Sequence, residues 1–496
     1  MSKFNDLVKG LQEKIFGREK QEPSPCQTTQ MPPEKVSSAV KKVPTISAKP
    51  RTNPHFVQIG FDFGTAYSKC VCRDVMTNKA WVHLPSNPPS KELPFLIPST
   101  LIIENDQLKH FAKVGAHYPP NGLYHLKLAL EKVALKKWTD PALDSFRRIA
   151  GDEDPSRLAS LVAASVTYFL AGALGEVRRQ IRQRLAGFGE HPNDYMAVNL
   201  AVPVADAERP AVNVLYHQVL CQAWAVADAL AGHPPISLGE LESLLHSGRE
   251  KLGNDVREAC FIYPEVSANV QGFVRSRASS EGVYLFSDAG AGTVDQSVFI
   301  FSRTDGSEHL AYLHGSVFPL GSSCIERYAA EIPGAKLDWT KLEGLRQTKE
   351  SGRSTPAIES ARKRLVKELD QGTTRTLALA REKLFRREQI LDARVIFGGG
   401  GHCDNPYKEG AMLPFSGSLF AKTVRPDVVG LPTPIDLELG ASGSLWLPRL
   451  SVAYGLSFEK SELVRFTYPV NIQPPKPEEL WRPRSREVEA ATKDAC

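Results

Sequence analysis

The chain has 496 residues, 42% of them hydrophobic, enough apolar material for a large core and more than one domain. Its formal charge is +5, with acids and bases interspersed, a balance too mild to mark a nucleic-acid partner. Eight cysteines, at 26, 70, 72, 221, 260, 324, 403 and 496, form no CxxC pair and no Cys/His zinc spacing, and read as reduced thiols of a cytoplasmic protein. No apolar run approaches the roughly 18 residues of a membrane span. The N-terminus "MSKFNDLVKGLQEKIFGREK" is amphipathic, unlike a signal peptide.

Phe4, Leu7, Val8, Leu11, Ile15 and Phe16 fall at helical spacing with lysines between them, which predicts a short basic amphipathic helix. Residues 4–16 either pack on the protein's own body or fray, or they dock on a partner or an anionic membrane surface. Residues 19–54, rich in Pro, Ser, Thr, Lys and Gln, read as a disordered tether. In "FVQIGFDFGTAYSKCVCRD" the residues Val57, Ile59, Phe61 and Phe63 alternate with polar or small ones. After a Gly64-Thr65 turn the chain returns as a second strand, completing a hairpin. A helix is predicted over 156–187, then the strand "MAVNLAVPV" and the helix "AERPAVNVLYHQVLCQAWAVADAL". A second hairpin follows, in which "GVYLF" and "QSVFIF" flank the tip "SDAGAGTVD". Residues 341–391 read as helical and charged, "ARVIFGGGG" (393–401) as a strand entering a glycine run, and "RLSVAYGLSF" (449–458) as a late helix on the sheet. From about Pro469 the chain is Pro-rich and charged, like a tail.

The tip "DAGAGTVD" is not a dinucleotide-binding loop, because that motif requires a helix after its glycines and here a strand follows. Its likeness is to the first tip, "DFGTAYS": each presents an aspartate followed closely by Gly and Thr. Glycines let backbone N–H groups approach phosphate oxygens, and Thr adds a hydroxyl donor. A carboxylate at each tip suits a magnesium ion that keeps most of its waters. Either tip alone reads equally as an ordinary Asp/Gly turn.

Taken in order, the motifs resemble the actin-like ATPase superfamily, and within it the nucleotide-binding domain of DnaK-type heat-shock chaperones. "IGFDFGTAYS" is similar to the family's first phosphate loop, "FSDAGAGTVDQSV" to the second, and "RVIFGGGG" to its adenosine-binding strand and turn. "AVNLAVPVADAERPAVNVLYHQ" resembles the strand and helix linking the two lobes. Softer likenesses are "IPST", "KVGAH" with "NGLYHLKLALEK", "PLGSSCIERYA" and "SVAYGLS". The resemblance covers about residues 55–460. It implies an α/β, two-lobed actin-like fold of duplicated ribonuclease-H-like domains, with an ATP cleft between the lobes. Lobe I would span 55–281 with a helical insertion near 80–150, and lobe II 282–467 with one near 325–392. Residues 1–54 would be helix plus tether, and 468–496 the tail.

The resemblance also implies roles. Asp62 and Asp288 would hold Mg²⁺ through water. Asp62, Lys127, Glu265 and Asp295 form the implied catalytic set, with Asp295 near the attacking water and Lys127 reaching the γ-phosphate of ATP. Lys127 reads almost as well as an exposed helix lysine. Gly64, Thr65, Ala66 and Tyr67 would line the first phosphate loop, Gly290, Ala291, Gly292 and Thr293 the second, and Gly398, Gly399 and Gly400 would lie against adenosine. Arg346 and Lys349 in "LRQTKESG" resemble an adenine-clamping basic helix, a part open also to "RKRLVK" (362–367).

This chain departs from the family at three places. Ala66 replaces a usual hydroxyl residue, and Ala291 interrupts the triple glycine. In "YPEVSAN" (263–269) Tyr263 stands at the family's glutamate, with Glu265 two residues on. From there Glu265 either reaches the magnesium shell or leaves the catalytic water poorly positioned. Phosphoryl transfer is mainly positioning and charge stabilisation, so binding can survive while hydrolysis slows. The stretch after "SVAYGLSF" is not the β-rich peptide-binding domain of those chaperones. The expected function is therefore a standalone, slow ATPase whose ATP/ADP cycle a partner protein reads. Rival readings are a filament-forming actin-like protein, a sugar or acid kinase lacking a distinct base beyond Asp295, and a nucleotide-binding pseudoenzyme acting as a scaffold.

Overall fold

The computed structural model describes residues 53–475 apart from 112–117, 120, 151–153, 203–208, 251, 277–278, 305, 332–337, 418–422 and 440–442. The amphipathic segment 4–16, almost all of the tether, "KVGAH" and the tail beyond 475 lie outside the described residues. What is described is α/β, built on two mixed sheets.

The first sheet grows from a hairpin of β1 (Phe56–Asp62) and β2 (Tyr67–Asp74), paired antiparallel. Strand β3 (Lys79–Val82) lies antiparallel beside β2, while β4 (Tyr195–Val202) and β5 (Cys260–Pro264) add in parallel on the far side of β1. The second sheet repeats this plan. Strands β6 (Gly282–Ala289) and β7 (Val294–Thr304) form its hairpin, β8 (Ser307–Phe318) lies antiparallel beside β7, and β9 (Arg394–Gly398) and β10 (Val428–Val429) add in parallel beside β6. The two orders, β5-β4-β1-β2-β3 and β10-β9-β6-β7-β8, are therefore the same. Even the added edge matches, with Leu437–Glu438 parallel to β3 and Arg465–Thr467 parallel to β8.

Helices cover both faces, which is why polar Gln58 and Gln296 are buried beside Ile59 and Val298 in the central strands. In the first half α1 (Leu126–Ala134), α2 (Pro155–Arg184) and α3 (Pro210–Val226) pack into the core with β1 and β4, and α4 (Glu265–Asn269) follows β5. The second half contributes α5 (Ser323–Ala330), α6 (Trp339–Glu350), α7 (Pro356–Arg381), α8 (Asn405–Ser416) and α9 (Gly443–Leu456). Helix starts are written locally. Asp154 caps α2 and Thr355 caps α7, each just before a proline at the first helical position. Contrary to the sequence reading, α2 is long and apolar enough to cross a membrane, but its apolar window is mostly buried inside the protein.

One expectation holds in pieces and one is corrected. The stretch 341–391 is helical but broken: α6 ends at Glu350, Gly352 adopts φ +73°, and α7 restarts after the Thr355 cap. The insertion near 80–150 is not purely helical. It contains the hairpin Leu101–Glu104/Gln107–His110, joined by Asn105 and Asp106 at φ 50° and 58°, the positive-φ pair of a two-residue turn.

The halves meet where α9 lies between β1 and α4. A Cβ on Gly455 would sit 1.7 Å from the Ala268 carbonyl oxygen, and one on Gly60 would sit 2.1 Å from that of Ala453. Backbone thus meets backbone, with no room for a methyl group. Gly455→Ala is expected to destabilise the fold by about 3 kcal/mol, read as a lowered midpoint in chemical denaturation.

Candidate functional site

The two hairpins bring their tips to one cleft of about 660 Å³, lined by residues of both halves. That volume falls within the range of sites for small organic ligands. The tips touch: a Cβ on Gly292 would meet the Thr65 Cγ2 at 2.8 Å and the Leu128 Cδ1 at 2.7 Å. Asp62, Gly64, Thr65, Ala66 and Tyr67 line one side, and Asp288, Gly290, Ala291, Thr293 and Asp295 the other. Lys127, Glu265, Arg346, Lys349, Gly399 and Gly400 complete the predicted set in the lining. Gly292 is spent on the tip contact. Gly398 instead packs beneath the wall, where a Cβ would meet Asn269 Nδ2 and the Phe286 ring at 2.7 Å.

The second tip is stitched to the start of α5. The carbonyls of Gly290, Ala291 and Gly292 accept from the N–H groups of Ser322, Ser323 and Gly321. In a trans peptide the N–H points opposite to the C=O of the same unit. The N–H groups of Ala291, Gly292 and Thr293 are therefore turned away from α5, in the arrangement that suits an anion. Gly399, at φ +77°, brings bare backbone against the acids: a Cβ there would lie 2.1 Å from Asp288 Oδ1.

The charges are crowded. Lys127, at the start of α1, is buried and donates to Glu265 Oε2 at 2.7 Å, so it is not an exposed helix lysine. Burial opposes its charge, but Glu265, Asp62 and Asp295 outweigh that and raise its pKa. Glu265 opens α4 and reaches the cleft from its position two residues beyond Tyr263. Tyr263 itself is buried elsewhere, donating to the Val464 carbonyl. Asp288 Oδ2 accepts from Asn269 at 2.8 Å, and Asp295 Oδ2 from the Thr293 hydroxyl at 2.8 Å. Burial, with Glu265 next, pushes Asp295 well above the usual carboxylate range. Its Oδ1 is buried with no hydrogen-bond partner among the described residues.

Burial, then the charges of Glu265 and Asp62, push Asp288 from 3.8 up to about 7. The native state thus holds a proton between pH ~4 and ~7 that the unfolded chain has lost, so this group's contribution to stability falls as pH rises through that window. Asp288→Asn removes the slope. Thermal scans from pH 5 to pH 8 are expected to show the variant gaining on wild type as pH rises.

Arg346 and Lys349, the pair that resembles an adenine clamp, lie in the lining but are committed. Arg346 is held between Glu343 at 2.5 Å and Glu350, and Lys349 donates to Glu326 at 2.5 Å. Of "RKRLVK", Arg362 lines the cleft, paired with Asp404 at 3.3 Å. Several lining residues lay outside the sequence reading: Lys69, Arg449, and Tyr118 with Tyr124. The rings of both tyrosines sit on Trp339 of α6, at 5.4 and 4.9 Å between centroids. No three His, Cys, Asp or Glu side chains converge on a common metal position among the described residues. No protein-family model matches the chain, and no curated protein matches it significantly.

Proposed function

We propose that the chain is a two-lobed, actin-like nucleotide-binding protein. It takes ATP or ADP into the cleft, hydrolyses ATP slowly, and uses opening and closing of the cleft as a switch for a partner protein. The observation that carries this reading is the meeting of two like hairpins, tip on tip, with Asp62 ending one first strand and Asp288 near the end of the other. The repeated sheet order supports the duplicated, two-lobed architecture. The N–H groups of Ala291 to Thr293 suit phosphate oxygens, and the bare backbone at Gly399 suits a flat ligand group.

Slow turnover follows from the protein's own groups. Lys127 spends its ammonium on Glu265, and burial, which raises the Asp295 pKa, opposes the charged carboxylate that would take a proton from attacking water. A divalent ion bound with the nucleotide would supply positive charge at the phosphates. The donor set here fits one poorly, because Asp62 Oδ2 already has a lysine ammonium at 2.5 Å and Asp288 Oδ2 has the Asn269 amide.

The test is calorimetric titration of ATP, magnesium present, into wild type, Asp62→Ala and Asp288→Ala, with phosphate release measured beside it. Wild type is expected to bind, both variants to lose binding, and release to run well below the roughly 1–1,000 s⁻¹ of ordinary enzymes. A folded wild type that binds no nucleotide sinks the proposal. Binding without release, even in a single turnover, selects the scaffold reading, which the burial of Asp295 with Oδ1 unpartnered among the described residues favours.

A further inference from the structure

The two hairpins hold their first aspartates in the same register and differ in the charge that faces each. Across the second hairpin Asp288 faces Asp295. Across the first, Asp62 faces Lys69 in the same relation. The first pair is opposite in charge and joined, Lys69 Nζ to Asp62 Oδ2 at 2.5 Å, with the lysine side chain 16% exposed and the aspartate 4%. The second pair is two acids, both pushed toward protonation.

Lys69 lines the cleft rather than the outer surface of the sheet. Its ammonium lies 3.7 Å from where a Cβ on Gly64 would stand, immediately under the first glycine loop. Its charge is felt at Asp288 too, where it favours the carboxylate. The ammonium therefore sits among Asp62, Asp288 and the first tip.

We propose that Lys69 is a resident cation in this cleft, and that the ligand is a nucleoside polyphosphate taken up without a divalent metal. This rests on the nucleotide-binding reading above. An ammonium is a compact point charge with three donors. One donor holds Asp62, and two remain for phosphate oxygens entering under the Gly64 loop. Magnesium needs near-octahedral geometry and keeps several waters, so it requires room and acceptor oxygens around it. Here one of the two carboxylate oxygens of Asp62, Oδ2, is already taken by a cation fixed covalently to the opposite strand. Lys69 meets the phosphates with a positive charge that is part of the fold and not drawn from solution.

The experiment measures ATP affinity by calorimetry on the full chain in excess EDTA and again with magnesium, for wild type, Lys69→Gln and Lys69→Met. Melting temperatures confirm that each protein is folded, and the glutamine variant can still donate to Asp62. Wild-type affinity is expected to change less than about tenfold between the two conditions. The variants are expected to lose about a hundredfold or more in EDTA and to recover most of it with magnesium. Wild type that binds ATP only with magnesium overturns the resident-cation proposal and leaves the nucleotide site standing. Variants that bind as well as wild type in EDTA also overturn it. A folded wild type that binds ATP in neither condition overturns the nucleotide reading itself.

Discussion

Lys127→Ala is expected to destabilise the protein by about 3–5 kcal/mol at neutral pH, the usual penalty for removing one partner of a buried ion pair. Both side chains are largely dry, 8% exposed for Lys127 and 13% for Glu265. Without the lysine, Glu265 is left with Asp288 and Asp295 as acidic neighbours. Denaturation of Lys127→Ala, Glu265→Gln and the double variant Lys127→Met/Glu265→Gln checks this. The double variant should recover most of the loss, because no charge is stranded. If Lys127→Ala unfolds at the wild-type midpoint, the two groups are not paired in solution.

The second large effect is on binding. Gly399→Ala is expected to weaken ATP binding by about a hundredfold, which is close to 3 kcal/mol. The added methyl group would lie 2.1 Å from Asp288 Oδ1 and 2.5 Å from the Ala289 carbonyl oxygen, at a backbone φ of +77° that side chains rarely adopt. Strand β6 and the glycine turn must then part, moving the wall of the cleft. Gly344→Ala in α6 is the control, since a Cβ there meets nothing and helix propensity favours alanine by up to about 1 kcal/mol. Equal affinities for the two variants would show that the glycine turn is not part of the site.

What could be read from residues alone followed from how local its cause is. The hairpins were legible because alternation, glycine and chain reversal fall within a few residues. So was the refusal of "GAGTV" as a dinucleotide loop, since the next residues are strand-forming. The Asp62–Lys69 pairing was also within reach: a reversal centred on Thr65 and Ala66 sets those two opposite each other. Arg346 is paired at i−3 and i+4, spacing visible in "EGLRQTKE". The Asn105-Asp106 turn was overlooked although its signal is short-range. By contrast, Lys127 owes its burial to Glu265, 138 residues away. The ring contacts of Trp339 with Tyr118 and Tyr124 likewise join distant segments. No periodicity announces such meetings, because the fold creates them.

The seam at Gly60, Ala268 and Gly455 has a mechanical meaning. Interdigitated side chains resist turning as well as sliding, as ridges lock into grooves. Where carbonyl oxygens press against glycine Cα atoms, as at Ala453 with Gly60 and Ala268 with Gly455, the backbone sets the spacing, while Leu450, Val452 and Tyr454 of α9 pack in one cluster with Val71, Ala80 and Phe95. Such a seam holds both its spacing and its angle. Gly60 stands only two residues before Asp62 in β1, so the spacing held at the seam is passed directly to the tip where Gly292 rests on Thr65.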